Sequence, residues 1–327
     1  MSQLVTIFGG SGFVGRYIAR RLAREGWRVR VAVRRPNEAL FVKTYGVVGQ
    51  VEPVLANIRD DTSVAAAIAG ADAVVNCVGI LSEDGRNTFD AVQAGGAERV
   101  ARLAAEAGIS RFVQISAIGA DAGSDSAYAR SKAEGEAAVL RHRPDAVILR
   151  PSIVFGAEDA FFNRFAGMSV LSPVLPIVGP ATKFQPVYVD DVAQAAVMGV
   201  LGTAKPGTYE LGGPEVATFR ELMADMLDIV RRRKLVLGLP LWLGRAMGAA
   251  FDFLGAITLG LIKGPITRDQ ARNLGRDNVV ADGARGFADL GIAPTAMEVV
   301  LPDYLWRFRP SGQYAEIKDS ARHLKRG

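Results

Sequence analysis

The chain has 327 residues, 49% of them hydrophobic and 22% charged, with a net charge of +5 at neutral pH. That length supports a sizeable core, and so modest a charge, with no aromatic-interleaved basic stripe, argues against a nucleic-acid partner. One cysteine, Cys77, excludes an internal disulfide, and the two distant histidines, His142 and His323, offer no metal-ligand pattern and no Ser-His-Asp triad.

Leu4–Phe8 is an apolar run of β-formers and predicts a strand at the very start of the chain. A strand there leaves no room for a signal or transit peptide, so a cytoplasmic protein, or one missing its presequence, is expected. Gly9-Gly10-Ser11-Gly12-Phe13-Val14-Gly15 follows, and Phe13, Tyr17, Ile18 and Leu22 then recur at helical spacing. In a strand–glycine turn–helix unit, Gly9 allows the tight turn. Gly12, lacking a Cβ, lets a pyrophosphate approach the backbone, and Gly15 lets helix and strand pack closely. The N–H groups and the positive dipole end of the helix then face the phosphates.

Gly26 ends that helix, and Arg28–Val33 alternates as a strand with Arg34 and Arg35 directly after it. In a dinucleotide fold this position, about 20 residues past the glycines, meets the adenosine ribose, where an acid binds the 2′-hydroxyl and arginine accommodates a 2′-phosphate. No acid stands at this strand end, and Arg34 can pair with a phosphate bidentately and stack on adenine. NADP(H) is therefore expected over NAD(H), the alternative being two solvated charges.

Val51–Ala56 predicts the next strand, followed by Asn57-Ile58-Arg59-Asp60 and an alanine-rich helix over Thr62–Ala69. Ala73–Gly79 is a continuous apolar strand, as expected where both sheet faces are covered, and Cys77 within it reads as a buried, inert thiol. Thr88–Ala107 predicts one long helix, Arg111–Ile115 a strand, Ala127–Leu140 a helix and Ala146–Leu149 a strand. This alternation implies right-handed parallel βαβ units. The fold class is α/β, a Rossmann-type doubly wound parallel sheet with a smaller mixed α/β C-terminal lobe. The expected division is residues 1–155 for nucleotide binding and 156–327 for the smaller lobe, with some of its segments returning to the sheet.

The glycine turn, Tyr128-Ala129-Arg130-Ser131-Lys132, Arg150-Pro151-Ser152-Ile153-Val154-Phe155-Gly156, Val189-Asp190-Asp191-Val192-Ala193 and Tyr209-Glu210-Leu211-Gly212-Gly213 together resemble the extended short-chain dehydrogenase/reductase superfamily. The resemblance covers roughly the first two-thirds of the chain. More narrowly, Gln114–Asp121, Tyr128–Glu136 and Arg150–Asp159 resemble the branch that holds the dehydrogenase-like accessory subunit of respiratory complex I and its bacterial relatives. That resemblance implies tightly held NADPH in a structural role, other subunits of a membrane respiratory complex as partners, and a peripheral place on the cytoplasmic face of the inner membrane. The alternative is an active NADPH-dependent reductase, dehydratase or epimerase on a lipid-like or quinone-related substrate.

The resemblance makes Tyr128 the general acid/base and Lys132 the group that lowers its pKa and binds the nicotinamide ribose, with a partner serine at Ser116. Tyr128 and Lys132 are four apart, so a helix carries them on one face. A phenol titrating near 10 needs an adjacent cation to serve as a base. The strand end Ser116-Ala117-Ile118 offers one hydroxyl, and if the reactive position falls on Ile118 that hydroxyl is missing. The pair thus reads either as live chemistry or as a cofactor clamp without turnover. Carried over from the same motifs, Asn57 and Ile58 flank the adenine and Val78 and Gly79 the adenosine side. Pro151, Ser152 and Ile153 pass the nicotinamide, mostly through their backbone, and Ser11, Phe13 and Val14 belong to the phosphate turn.

Thr218-Phe219-Arg220-Glu221 is a capping box opening an amphipathic helix through Phe219, Leu222, Met223, Met226 and Leu227. It runs into Arg231–Lys234 and then Leu235–Ile262, almost wholly apolar, where Arg245 and Asp252 lie seven apart on one helical face. Pro240, several glycines and the two charges break this stretch below the ~20 residues of a membrane span. It is expected to be either a buried helix pair lining an apolar pocket or an in-plane surface, with Arg231–Lys234 at anionic headgroups. From Trp306 the chain turns polar and basic, with a turn at Pro310-Ser311-Gly312 and an extended end.

Overall fold

The computed structural model describes residues 2–257, 267–310 and 312, with the side chains of 252–257 left out. In chain order the first half runs β1 (Leu4–Phe8), α1 (Phe13–Arg24), β2 (Arg28–Val33), β3 (Val51–Leu55), α2 (Asp61–Ile68), β4 (Ala73–Asn76), α3 (Gly95–Glu106), β5 (Arg111–Ile115), α4 (Ala127–His142) and β6 (Val147–Pro151). The second half runs β7 (Val154–Phe155), α5 (Phe162–Leu171), β8 (Val174–Val178), β9 (Lys183–Phe184), β10 (Val187–Tyr188), α6 (Val189–Leu201), β11 (Gly207–Leu211), β12 (Ala217–Thr218), α7 (Phe219–Ile229), β13 (Leu235–Leu239), α8 (Leu241–Ile257), α9 (Arg268–Asn273) and α10 (Met297–Leu305).

Seven strands form one sheet in the order β11-β6-β5-β4-β1-β2-β3, and every neighbouring pair is parallel. The pleat sorts side chains between two cores. Val5, Ile7, Ala73, Val75 and Val113 face the layer of α1 and α6, whereas Phe8, Val74 and Phe112 face α2 and α3. Strand order reverses between β1 and β4, which opens a crevice beyond their carboxyl ends. A third core joins α5, α7, α10 and β8, and the Thr218–Glu221 capping box is formed as expected.

The structure departs from the sequence expectations at several points. β4 stops at Asn76, three residues early, because the Asn76 side chain accepts from Val78 N and turns the chain. The helical stretch expected over Thr88–Ala107 runs unbroken from Phe89 to Glu106, but its Asp90–Ala94 part is π-helical ahead of α3. The turn pushes the Gln93 carbonyl onto α4 at Gly135, where a Cβ would stand 2.7 Å from that oxygen. Pro36–Tyr45 is a 3₁₀ segment that buries Ala39 and Val42.

The apolar stretch from Leu235, expected as a buried helix pair or an in-plane surface, begins as β13, paired in parallel with β8. Leu235 and Leu237 point outward and Val236 packs inward, a two-residue period that the unbroken leucine content masked. Pro240 ends the strand and α8 follows. Residues 258–262 of the apolar stretch and 313–327 of the tail lie outside the described residues, as do Ser311 of the expected turn and the side chain of Asp252. Among the described residues no helix is long and apolar enough to cross a membrane.

Candidate functional site

The glycine turn has the geometry its spacing predicts. Gly9 sits at φ +72°, in the left-handed region. A Cβ on Gly15 would press on the Gly9 carbonyl and lie 2.7 Å from the Gly10 Cα, so α1 can lean on β1 only without one. Gly12 is the N-cap of α1 and brings no side-chain cap, so the first turn of the helix faces the crevice with backbone amides.

The crevice is a cleft of about 670 Å³, within the range of cofactor sites. It gathers Gly9, Ser11 and Gly12 from the turn, Arg34 and Arg35 after β2, Asn57 and Ile58 after β3, and Val78 and Gly79 after β4. These sequence-predicted residues, far apart in the chain, meet because parallel strands release them at one sheet edge. Phe13, Val14 and Gly15 do not line it. Phe13 stacks edge-on with Tyr17 at 6.1 Å and Val14 packs on the core. Cys77 lines the cleft half-buried rather than fully enclosed, and burial pushes its thiol up to about 12, which keeps it protonated.

Arg59, Glu38, Asp84 and Asn87 also line the cleft, none of them marked by a motif in the sequence. Asp84 and Asn87 bridge to each other across Gly85 and Arg86, so residues 81–88 fold as a tight loop at the cleft mouth. Arg59 Nη1 donates to the Arg86 carbonyl at 2.7 Å, and Arg34 Nη1 donates to Asn87 Oδ1 at 3.4 Å. Arg35 pairs with Glu38 at 3.0 Å, both side chains exposed. The Asp-Gly step at 84–85 was the available signal for this turn.

At the other end, α4 carries Tyr128 and Lys132. Ser126 caps the helix, its hydroxyl accepting from Ala129 N. Lys132 Nζ lies 5.9 Å from the Tyr128 ring centre and 3.2 Å from where a Gly79 Cβ would be, so it faces the cleft floor. Burial pulls the Lys132 ammonium down to about 8, with Glu136 opposing, and pushes the Tyr128 phenol up to about 12. The phenol ring packs edge-on against Phe89 at 5.9 Å. Neither Tyr128, Lys132 nor Ser116 lines the open cleft among the described residues.

Among the described residues two buried side-chain oxygens, Gln93 Oε1 beside this floor and Ser116 Oγ after β5, have no protein partner. The Gln93 amide is oriented by its neighbours. Ser131 Oγ donates to the Tyr128 carbonyl and so accepts from Gln93 Nε2 at 3.2 Å, which turns Oε1 the other way, to within 3.7 Å of the Gly79 Cβ position. An orphaned buried acceptor beside a lysine, as Gln93 Oε1 is, fits a hydroxyl-bearing ligand such as a ribose. Pro151, Ser152 and Ile153 are largely spoken for by protein. Ser152 Oγ donates to Asn278 Oδ1 at 2.7 Å, Ser152 N to Leu211 O, Ile118 N to Pro151 O and Val187 N to Ile153 O.

Sheet order, switch-point cleft and uncapped helix start together define a Rossmann-type dinucleotide-binding protein of the short-chain dehydrogenase/reductase kind. Residues 5–212 match the NAD dependent epimerase/dehydratase family, and the chain belongs to that family. It is 36% identical over 316 residues to NADH dehydrogenase (ubiquinone) 1 alpha subcomplex subunit 9, mitochondrial, of Arabidopsis thaliana, covering 94% of this chain and 79% of that one. It is thus a homologue of that subunit, as the narrower resemblance led us to expect. It is also 30% identical over 239 residues to ceramide reductase of Caulobacter vibrioides, covering 72% of this chain and 74% of the relative. The crystal structure of gox2253 shares the fold, with a TM-score of 0.71 at 22% identity over 95% of this chain and 99% of that one.

Proposed function

We propose that the chain holds NADPH in this cleft and serves as a non-catalytic accessory subunit of a bacterial respiratory NADH:quinone oxidoreductase, peripheral on the cytoplasmic face where the hydrophilic arm meets the membrane. The observation that carries the reading is the similarity to the alpha subcomplex subunit over 94% of the chain, which runs past the family-matched region into the C-terminal part. Arg34, with Arg59 beside the same mouth and no acid closing β2, favours a 2′-phosphate. The α1 amides suit the pyrophosphate, and Lys132, Gln93 and Ser116 suit the nicotinamide ribose. When bound, the nucleotide supplies a hydride donor, but its contribution here is to the folded state. A ligand held at 100 times its Kd adds about 2.7 kcal/mol to stability. Exposed Leu235, Leu237 and Trp242 near Arg233 and Lys234 suit a surface at anionic headgroups.

The test is to solubilise membranes of the source organism gently, follow the tagged chain on a native gel, and identify the nucleotide released by acid. Co-migration with a large NADH-oxidising complex and release of NADP(H) are expected. A chain found only outside that complex refutes the subunit role, and release of NAD(H) refutes the cofactor. Tyr128→Phe leaves assembly intact on this reading.

The second reading, an NADPH-dependent reductase on a lipid-like or quinone-related substrate, is favoured by the ceramide reductase similarity and by Tyr128 and Lys132 sharing one face of α4. It requires NADPH turnover with a long-chain ketone or quinone that Tyr128→Phe abolishes while nucleotide binding persists.

A further inference from the structure

Residues 267–281 cross the carboxyl ends of the strands on the Tyr128 side and are stitched to each in turn. The Asp269 carboxylate sits on the start of α4, accepting from Ser126 Oγ at 2.8 Å, Ala127 N at 2.9 Å and Tyr128 N at 3.3 Å. Gln270 Nε2 donates to the Leu81 carbonyl at 3.2 Å, while its Oε1 accepts from Thr267 N within a capping box. Arg272 Nη1 donates to the Asp125 carbonyl at 3.1 Å. Further on, Asn278 receives the Ser152 hydroxyl, and Ala281 N donates to Glu210. The loops on either side of the Tyr128–Lys132 face, 81–88 and 116–126, are therefore joined through the six-residue helix α9.

We propose that residues 267–281 are a strap that seals the nicotinamide end of the cleft, with Asp269 as its latch and as a positioning residue for the Tyr128 turn. A carboxylate on the first amides of a helix is favoured by the dipole and by charge-assisted hydrogen bonds. It also fills the α4 amides that an anionic substrate would otherwise find. The seal retains the nucleotide and shuts out a diffusible substrate, and it rests on reading the cleft as a nucleotide site.

The experiment uses the full chain. Hydrogen exchange of 126–130 and 267–281 is measured without nucleotide. Release of bound NADPH is followed by its fluorescence during a chase with NADP⁺, and its exposure by acrylamide quenching. Asp269→Ala and Gln270→Ala are expected to speed exchange across 267–281 and NADPH release by tenfold or more, with quenching increased. Asp269→Glu restores both in part. Arg34→Ala, at the other end of the cleft, shortens NADPH residence without changing exchange in 267–281. Release and exchange within twofold of the parent in both strap variants overturn the proposal. If Asp269→Ala loses its cooperative melting transition, Gln270→Ala carries the same comparison. If the parent chain binds no NADPH, the nucleotide reading falls, and exchange in the nucleotide-free variants still decides the strap.

Discussion

Replacing Gly15 and Gly12 separately by alanine separates what the glycine turn does for folding from what it does for the ligand. At Gly15 the new methyl meets only backbone, the Gly9 carbonyl and the Gly10 Cα at 2.7 Å, whereas ordinary carbon contacts begin near 3.4 Å. Neither neighbour can rotate away, so α1 must withdraw from β1 by several tenths of an ångström. Overpacking of this kind costs about 1–3 kcal/mol, and an immobile backbone wall puts Gly15→Ala at the upper end. Gly12 is different. Its φ of −70° suits alanine, and the one atom within 4 Å of its would-be Cβ is the Gly9 oxygen at 3.1 Å. Gly12→Ala should cost about 0.5–1 kcal/mol, the loss of a tolerated N-cap residue. Its methyl projects where the pyrophosphate must approach, so NADPH affinity should fall 100-fold, about 2.7 kcal/mol. Urea unfolding without nucleotide and a fluorescence titration with NADPH read the two effects. Unfolding of Gly15→Ala within about 0.5 kcal/mol of the parent, or NADPH binding by Gly12→Ala within threefold of it, refutes the reasoning.

Arg34→Ala removes a charge-assisted contact to a 2′-phosphate and should weaken NADPH by about 2 kcal/mol, roughly 30-fold, while NADH changes little; equal losses measured by titration would sink the 2′-phosphate assignment. Lys132 titrates near 8 in the folded chain against an ordinary 10.5, so the folded state releases its proton first and stability rises with pH between those values. Lys132→Met should flatten that rise in urea midpoints taken from pH 7 to 10.5, and an unchanged profile counts against a buried lysine. Tyr128 shifts the other way, up to about 12, so its contribution is present below pH 10 and is lost as pH rises through 12. Glu136→Gln breaks a buried pair in which Arg150 donates at 2.6 and 2.9 Å. The cost should be about 3 kcal/mol, at the low end for buried pairs because Arg150 keeps Glu210 at 3.4 Å. A urea-measured loss under about 1 kcal/mol would show that the pair contributes little.

The parallel sheet was legible because its strands are short apolar runs separated by helices of 3.6-residue period, and each signal is local. The glycine-turn side of the cleft was legible for the same reason, since Gly9, Gly12 and Arg34, which line it, announce themselves by position relative to one strand. β13 was not legible. Leu-Val-Leu-Gly-Leu reads equally as helix or strand, and what decides it is β8, some sixty residues earlier in the chain. The π-turn at Asp90–Ala94 was hidden too, because the contact that accommodates it lies on another element, where the Gln93 carbonyl meets Gly135. Asp269 was beyond reach from sequence: an aspartate after a threonine cap reads as a first-turn acid of its own helix, and only the tertiary fold lays it on the start of α4.

The placement of Lys132 bears on which of the two sequence readings of the tyrosine–lysine pair fits the folded chain. To make a phenol a base at neutral pH, the ammonium must act on the phenol oxygen, and the gain has to exceed the burial cost of both groups. Here burial drives the Tyr128 phenol upward, away from use as a base. The ammonium is turned to Gly79, on the cleft side, in company with an orphaned Gln93 oxygen. A lysine so directed is suited to gripping a hydroxylated ligand lying across Gly79, and its ammonium stands 5.9 Å from the Tyr128 ring centre. Bringing the phenol into the working range would need the ligand itself to complete the polar network between Ser116, Tyr128 and Lys132. On the proposed reading grip therefore comes before chemistry at this site, and a chain that kept the grip could lose turnover without losing its fold.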